Sequence, residues 1–230
     1  MTTSMCENPR GARRRGCRIS TWGIVILLAA GIAFIVPEPS RAVAAEPPGT
    51  ETIVLIRHAE KPKLGLGQLD CQGLNRALAL PGVIKKKFGT PDAVFAPDPG
   101  EMKLDYGHPY YYVRPLATIE PTAIAFGLPI DAGIGVSHID ALRQKLESPT
   151  YRSALVVVAW HHSDIPKLAR LLVADHGGDP SVIPDWPESD FDSIYVVSFG
   201  HAGASPAVAF DQRHEGLDGQ PTACPGNAPG

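Results

Sequence analysis

Three features of the amino-acid sequence predict an α/β fold, a three-layer sandwich built on a mostly parallel central sheet. Short runs rich in β-branched residues recur along the chain, stretches with helical spacing of apolar residues lie between them, and Gly and Pro punctuate the boundaries. Runs that are apolar at every position suit strands buried on both faces. Strands that alternate with helices pair in parallel beneath helical layers.

The first 45 residues stand apart from this pattern. Arg10, Arg13, Arg14, Arg15 and Arg18 precede an uncharged apolar run over residues 22–36, which is followed by Pro37, Pro39 and the small-residue stretch Ala42-Val43-Ala44-Ala45. Basic, then apolar, then small residues is the order of a secretory signal. The run falls short of the ~20 residues that span a bilayer as a helix. Residues 1–45 are therefore expected to be a signal peptide, with an uncleaved N-terminal anchor through 22–36 as the alternative. Either places residues 46–214, the folded domain, outside the cytoplasm, in a secreted or periplasmic setting. Residues 215–230, rich in Gly, Pro and Ala, are expected to be a flexible tail.

Within the domain, Thr52–Arg57 reads as a strand buried on both faces, followed at once by a charged cluster. Leu74, Leu78, Val83, Ile84 and Phe88 have near-helical spacing over 71–88, and Pro81-Gly82 predicts a kink or restart there. Lys85, Lys86 and Lys87 read as a solvated face complementing the end of that helix. Residues 93–96 form a short strand, 97–109 a loop, and 115–126 a helix with Pro115 at its start and Gly127 past its end. A helix near 138–147, a strand over 154–160, a helix over 164–174 and a last strand over 193–199 complete the series.

Composition limits the function classes. The 230 residues are 44% hydrophobic and 20% charged, with 21 Lys and Arg against 24 Asp and Glu. The first 44 residues carry a net charge of +4, leaving −7 on the remainder. An acidic domain argues against nucleic-acid binding, which depends on neutralising phosphates with Lys and Arg. A membrane partner is expected only if the N-terminal segment stays attached. Removing residues 1–45 takes Cys6 and Cys17 with it, and a bridge between the remaining Cys71 and Cys224 would pin the tail to the front of the domain.

Two polar clusters follow predicted strands, where ligands gather in parallel sheets. One is Arg57-His58-Ala59-Glu60-Lys61; the other is His161-His162-Ser163-Asp164. Arg114 lies between them in sequence, beside a predicted helix start. Guanidinium forks hold phosphate oxygens, a neutral imidazole can accept a phosphoryl group, and such a site needs no metal or cofactor. His161, His162 and Asp164 could alternatively ligate zinc, although no further ligand has convincing spacing.

The residues also resemble a known family. Leu55-Ile-Arg-His-Ala-Glu-Lys61 is similar to the signature of the histidine phosphatase superfamily, the phosphoglycerate mutase-like proteins. Leu69 with Gly73-Leu-Asn-Arg-Ala-Leu78, Ala93-Val-Phe-Ala-Pro97, Arg114-x-x-x-Thr118 with Gly127-Leu-Pro129, and Val156-Val-Val-Ala-Trp-His161 resemble its later motifs in order, over about residues 52–175. The resemblance implies that His58 is the phosphorylated nucleophile, that Arg57 and Arg114 grip the phosphate, and that His161, with His162 as second choice, contacts the transferring group. It implies a small phosphorylated substrate.

Two departures matter. An insertion over 98–112, containing Tyr110, Tyr111 and Tyr112, is expected to wall the entrance, so substrate choice does not carry over. No general acid matches, and Asp164, Asp98 and Glu120 are the candidates. The expected function is an exported phosphatase acting on phosphomonoesters or phosphohistidine, with a non-catalytic binding protein for phosphate esters as the alternative.

Overall fold

A computed structural model describes residues 49–200 and 208–226. The arginine-rich start, the apolar run 22–36 and the cleavage segment lie outside the described residues, as do 227–230. Among the described residues no helix is long and apolar enough to cross a membrane.

In chain order the elements are β1 (Thr50–Arg57), α1 (Cys71–Lys87), β2 (Ala93–Pro97), β3 (Met102–Asp105), β4 (His108–Tyr111), α2 (Arg114–Phe126), β5 (Ile130–Ile134), α3 (Ile139–Leu146), β6 (Leu155–Trp160), α4 (Ile165–Asp175), β7 (Ser193–Gly200) and β8 (Val208–His214). Six strands form one sheet in the order β5-β2-β6-β1-β7-β8. The β1–β6, β2–β6 and β2–β5 pairs are parallel, and β7 alone runs against the rest.

The alternation of side chains along a strand divides the core in two. Ile53, Leu55, Val156, Val158, Trp160, Tyr195 and Val197 face α3 and α4. Val54, Ile56, Val157, Ala159, Ile194 and Val196 face α1 and α2. On α4 the buried residues Ile165, Leu168, Ala169, Leu172 and Val173 make a single helical stripe. The three layers therefore follow from apolar strands with two dry faces.

Four local outcomes differ from the expectations. α1 runs unbroken through Pro81. An interior proline costs about 3 kcal/mol, but Leu80 and Ile84 on either side are fully buried, each worth roughly 1.5–3 kcal/mol. The segment expected as a loop at 97–109 holds the β3–β4 hairpin, turned by Tyr106 and Gly107, whose φ angles of 50° and 81° make a tight two-residue connection. β5 and β8, at the two sheet edges, were not expected. Their half-buried sequences lack the continuous apolar runs of the central strands.

Residues 215–226, read as tail from composition, carry specific fastenings. A disulfide joins Cys71 to Cys224 across a sequence separation of 153. The Asn75 side-chain amide donates to the Pro221 and Ala223 carbonyls at 2.7 and 2.8 Å.

Candidate active site

The sheet register brings the two histidine-bearing strand ends side by side. Arg57 pairs with Trp160 at the ends of β1 and β6, and the His58 N–H extends the ladder to the Trp160 carbonyl at 3.0 Å. The His58 and His161 rings consequently stand 6.1 Å apart, and Tyr112 lies 6.0 Å from each.

His58 is 1% exposed. Its Nδ1 lies 2.8 Å from the Ala59 carbonyl, which can only accept, so Nδ1 carries the proton and Nε2 keeps its lone pair. Burial, reinforced by Arg114 and Arg57, holds the imidazole well below its ordinary range, and the ring is neutral. The loop is braced from α2: the Ala59 N–H donates to Thr118 Oγ1 at 2.9 Å, and that hydroxyl donates to the Arg114 carbonyl at 2.9 Å. It is braced from α1 as well. The Asp70 side chain caps that helix, and a Cβ on Gly73 would fall 2.3 Å from the Glu60 carbonyl oxygen, so only glycine lets helix and loop meet.

Both predicted arginines are buried beside His58. The Arg57 guanidinium donates to the carbonyls of Glu188 and Asp190 and stacks on Phe191 at 3.7 Å. Burial, with Arg114 adding to it, lowers Arg57 to about 10, which leaves it cationic at neutral pH. Arg114, the first residue of α2, sits 4.9 Å over the Tyr112 ring. It donates to the Asp105 carboxylate, which also takes a bond from Lys61 at 3.0 Å. Nε of each arginine is buried with no hydrogen-bond partner among the described residues. One carboxylate against Arg57, Arg114 and Lys61 leaves an excess of positive charge.

His161 turns Nδ1 toward the Ser163 hydroxyl at 2.8 Å and the Asp164 carboxylate at 3.4 Å. Burial lowers its pKa, and Asp164 partly offsets that. Although burial opposes it, His161 and Lys167 hold Asp164 ionised, at about 2. His162 packs on His161 with ring centroids 4.4 Å apart, and burial, then Arg57, pushes it down to about 3. Of the two histidines, His161 is the one whose ring meets His58. A cavity of about 430 Å³ adjoins it, lined among others by Lys103, Ser163, Asp164 and Lys167.

The acid candidates are not gathered here as neutral donors. Glu120 is exposed on α2, Asp98 accepts the Gly100 N–H within its own turn, and Asp164 supports His161. Sequence reasoning missed Asp105, Phe191 and the buried role of Tyr112. For Asp105 a signal existed: Asp-Tyr-Gly between alternating residues marks a hairpin turn, and a hairpin would have aimed Asp105 and Lys103 to one side. Among the described residues no three His, Cys, Asp or Glu side chains group as a metal site requires.

No family profile matches the sequence, and no curated protein matches it. Solved structures do. A candidate phosphohistidine phosphatase SixA from Nakamurella multipartitia superposes with a TM-score of 0.50 at 18% identity, over 72% of this chain and 96% of that one. A mycobacterial glucosyl-3-phosphoglycerate phosphatase with inorganic phosphate gives 0.46 at 15% identity, over 71% and 95%. Phosphoglycerate mutase from Plasmodium falciparum gives 0.44 at 14%, over 70% and 89%. A six-stranded, mostly parallel sheet between two helical layers and the superposition on the first of these structures identify the fold of the chain as that of the histidine phosphatase superfamily, the phosphoglycerate mutase-like fold.

Proposed function

We propose that the protein is an extracytoplasmic phosphatase, secreted, periplasmic or anchored through residues 22–36, that hydrolyses phosphomonoesters or phosphohistidine through a phosphohistidine at His58. The observation that carries this reading is a neutral, buried His58 with Nε2 unprotonated, 6.1 Å from the His161 ring and flanked by two buried guanidinium groups.

In the first step the His58 Nε2 lone pair attacks phosphorus, and the bond from phosphorus to the leaving oxygen breaks. Arg57 and Arg114 balance charge on the equatorial oxygens. Nδ1 of His161 faces the Ser163 hydroxyl and the ionised Asp164 carboxylate, so Nε2 is the atom left to meet a phosphoryl oxygen, and Asp164 balances the charge when His161 carries a proton there. In the second step water attacks phosphorus, the P–N bond breaks, and orthophosphate leaves with His58 restored.

The leaving oxygen needs a proton, and Asp105 is the carboxyl placed on Arg114. Although burial opposes it, Arg114 and Lys61 hold Asp105 ionised in the free protein. A phosphoryl group competing for Arg114 removes that support, and its own negative charge favours the protonated acid. Asp105→Asn is expected to lower kcat/KM for an alkyl phosphate by about 10²-fold or more and for p-nitrophenyl phosphate by less than about tenfold, because nitrophenolate leaves unaided. Equal losses on the two esters would limit Asp105 to orienting Arg114.

The test is phosphate release from p-nitrophenyl phosphate by the purified protein, with rapid quench of a labelled substrate. Turnover indifferent to chelator, with a label stable in base and lost in acid, supports the reading. Vanadate binding without turnover would instead make this a phosphate-ester binding protein, and loss of activity in chelator would point to a metal hydrolase.

A further inference from the structure

Tyr112 is placed by its backbone. Its N–H donates to the Glu101 carbonyl at 3.1 Å, and the N–H groups of Val113 and Arg114 both donate to the Gly67 carbonyl at 3.1 Å. The chain is thus tied twice between the β3–β4 hairpin and the start of α2. Tyr112 is 1% exposed, whereas its neighbour Tyr111 is 59% exposed. The Tyr112 ring stands nearly perpendicular to that of His58, 6.0 Å from it and 6.0 Å from the His161 ring. The Arg114 guanidinium lies 4.9 Å and the Lys103 amine 5.2 Å over it.

The ring belongs to the core shared with Phe95, Val136 and Trp160, and packing accounts for it. Packing does not account for the hydroxyl, which is buried with no hydrogen-bond partner among the described residues. An unpaired buried hydroxyl opposes folding, and phenylalanine would fill the same space without that cost. The Arg114 guanidinium draws on the phenol oxygen, but a guanidinium only donates, so the hydroxyl proton still lacks an acceptor. After burial, the strongest influence on the Arg57 guanidinium is this same hydroxyl, ahead of Glu188 and Asp190. The phenol oxygen therefore sits close to both arginines. Burial, opposed by Arg114 and Arg57, raises Tyr112 above the ordinary phenol range, and the hydroxyl keeps its proton at neutral pH.

The donors around His58 are left in excess. Arg57 gives Nη1 to the Glu188 and Asp190 carbonyls, and Arg114 gives Nη1 to Asp105. Nε of each is buried without a partner among the described residues, as is the Tyr112 hydroxyl. Donors without acceptors, set beside a neutral imidazole, fit an anion that presents several oxygens at once. The hydroxyl adds a directed donor there without adding a further charge beside Arg57, Arg114 and Lys103. We infer, resting on the phosphate-ester reading proposed above, that the Tyr112 hydroxyl contacts the substrate, donating a hydrogen bond to a non-bridging oxygen of the phosphoryl group that meets His58.

The test is Tyr112→Phe in the full chain, which removes the hydroxyl and keeps the ring, with Tyr111→Phe as control. Affinities for vanadate and inorganic phosphate are measured by calorimetry, and turnover of p-nitrophenyl phosphate and the thermal midpoint on the same samples. Tyr112→Phe is expected to weaken both anions about tenfold or more and to lower kcat/KM by about ten- to hundredfold, because a hydrogen bond to a charged oxygen is lost. Its thermal midpoint is expected to hold or to rise by about 2–4 °C, since an unpaired buried group is removed. Tyr111→Phe should match wild type throughout. Anion affinities in Tyr112→Phe within about threefold of wild type would overturn the inference. A midpoint about 5 °C or more below wild type would assign the hydroxyl to the core and overturn it too. Wild type that binds vanadate without turning over the ester, with the same loss of affinity in Tyr112→Phe, would remove the enzymatic reading and support the contact. Wild type that binds neither anion would overturn both.

Discussion

His58→Ala is expected to abolish phosphate release, by about 10⁴-fold or more in kcat, and to remove the acid-labile label from quenched enzyme. The other charged groups can hold an ester and stabilise its transition state, but none can form the P–N bond. Arg57 is committed to two backbone carbonyls, His161 directs Nδ1 away toward Ser163, and His162 meets His161. On the proposed reading Arg114→Ala should behave differently, raising KM and lowering kcat together, because it would remove binding and transition-state charge while leaving the proposed nucleophile in place. His58 is buried, so removal of its ring could also loosen the loop. The diagnostic is vanadate affinity: a His58→Ala protein that keeps its thermal midpoint and loses turnover has lost chemistry, whereas residual turnover above about a tenth of wild type would remove His58 from the covalent role.

The strands that position this residue were legible because their physics is local. Thr52–Arg57 and 154–160 are apolar at nearly every position, and only the middle of a sheet covered on both faces asks for that. β5 and β8 sit at the edges, and their mixed polarity matches edge strands and loops equally well. Arg57, His58, Arg114 and His161 could be named because each adjoins a recognisable strand or helix end. Phe191 could not, since it reaches the site from a loop some 130 residues from Arg57 whose spacing carries no trace of that approach, and for Asp105 and Tyr112 the only signal was the turn pattern of the inserted hairpin, which says nothing of their contact with Arg114. Pro81 shows the converse, a strong local signal overruled by two fully buried neighbours.

The network behind the site was invisible to sequence reasoning for the same reason, and removing its centre should have the largest effect on stability. Arg76, with a side chain 1% exposed, donates to Glu60 through Nε and Nη2, to Asp192 and Glu215 through Nη1, and to Asp218 through Nη2, at 2.8–3.3 Å. It ties the loop two residues past His58 to the start of β7 and to the segment after β8. Four carboxylates share this one guanidinium, so burial outweighs the attraction at Glu215 and pushes its carboxyl up to about 8. Arg76→Leu leaves buried carboxylates without a counter-charge, and the expected cost is about 3–5 kcal/mol in urea unfolding at neutral pH. A raised carboxyl pKa means that the native state holds a proton the unfolded chain has released. That contribution is complete below the ordinary value of 4.5 and is lost as pH rises through about 8. Without Arg76 the ionised form of Glu215 is less stable still, so the deficit of Arg76→Leu should widen from pH 5 to pH 9. Adding Glu215→Leu should restore part of the loss and flatten its pH dependence, because a second apolar side chain replaces an unpaired charge. A deficit below about 1 kcal/mol throughout that pH range would mean that the four carboxylates find water or protons without Arg76, and that Glu60 and the loop after β1 are held by Thr118 and Gly73 alone.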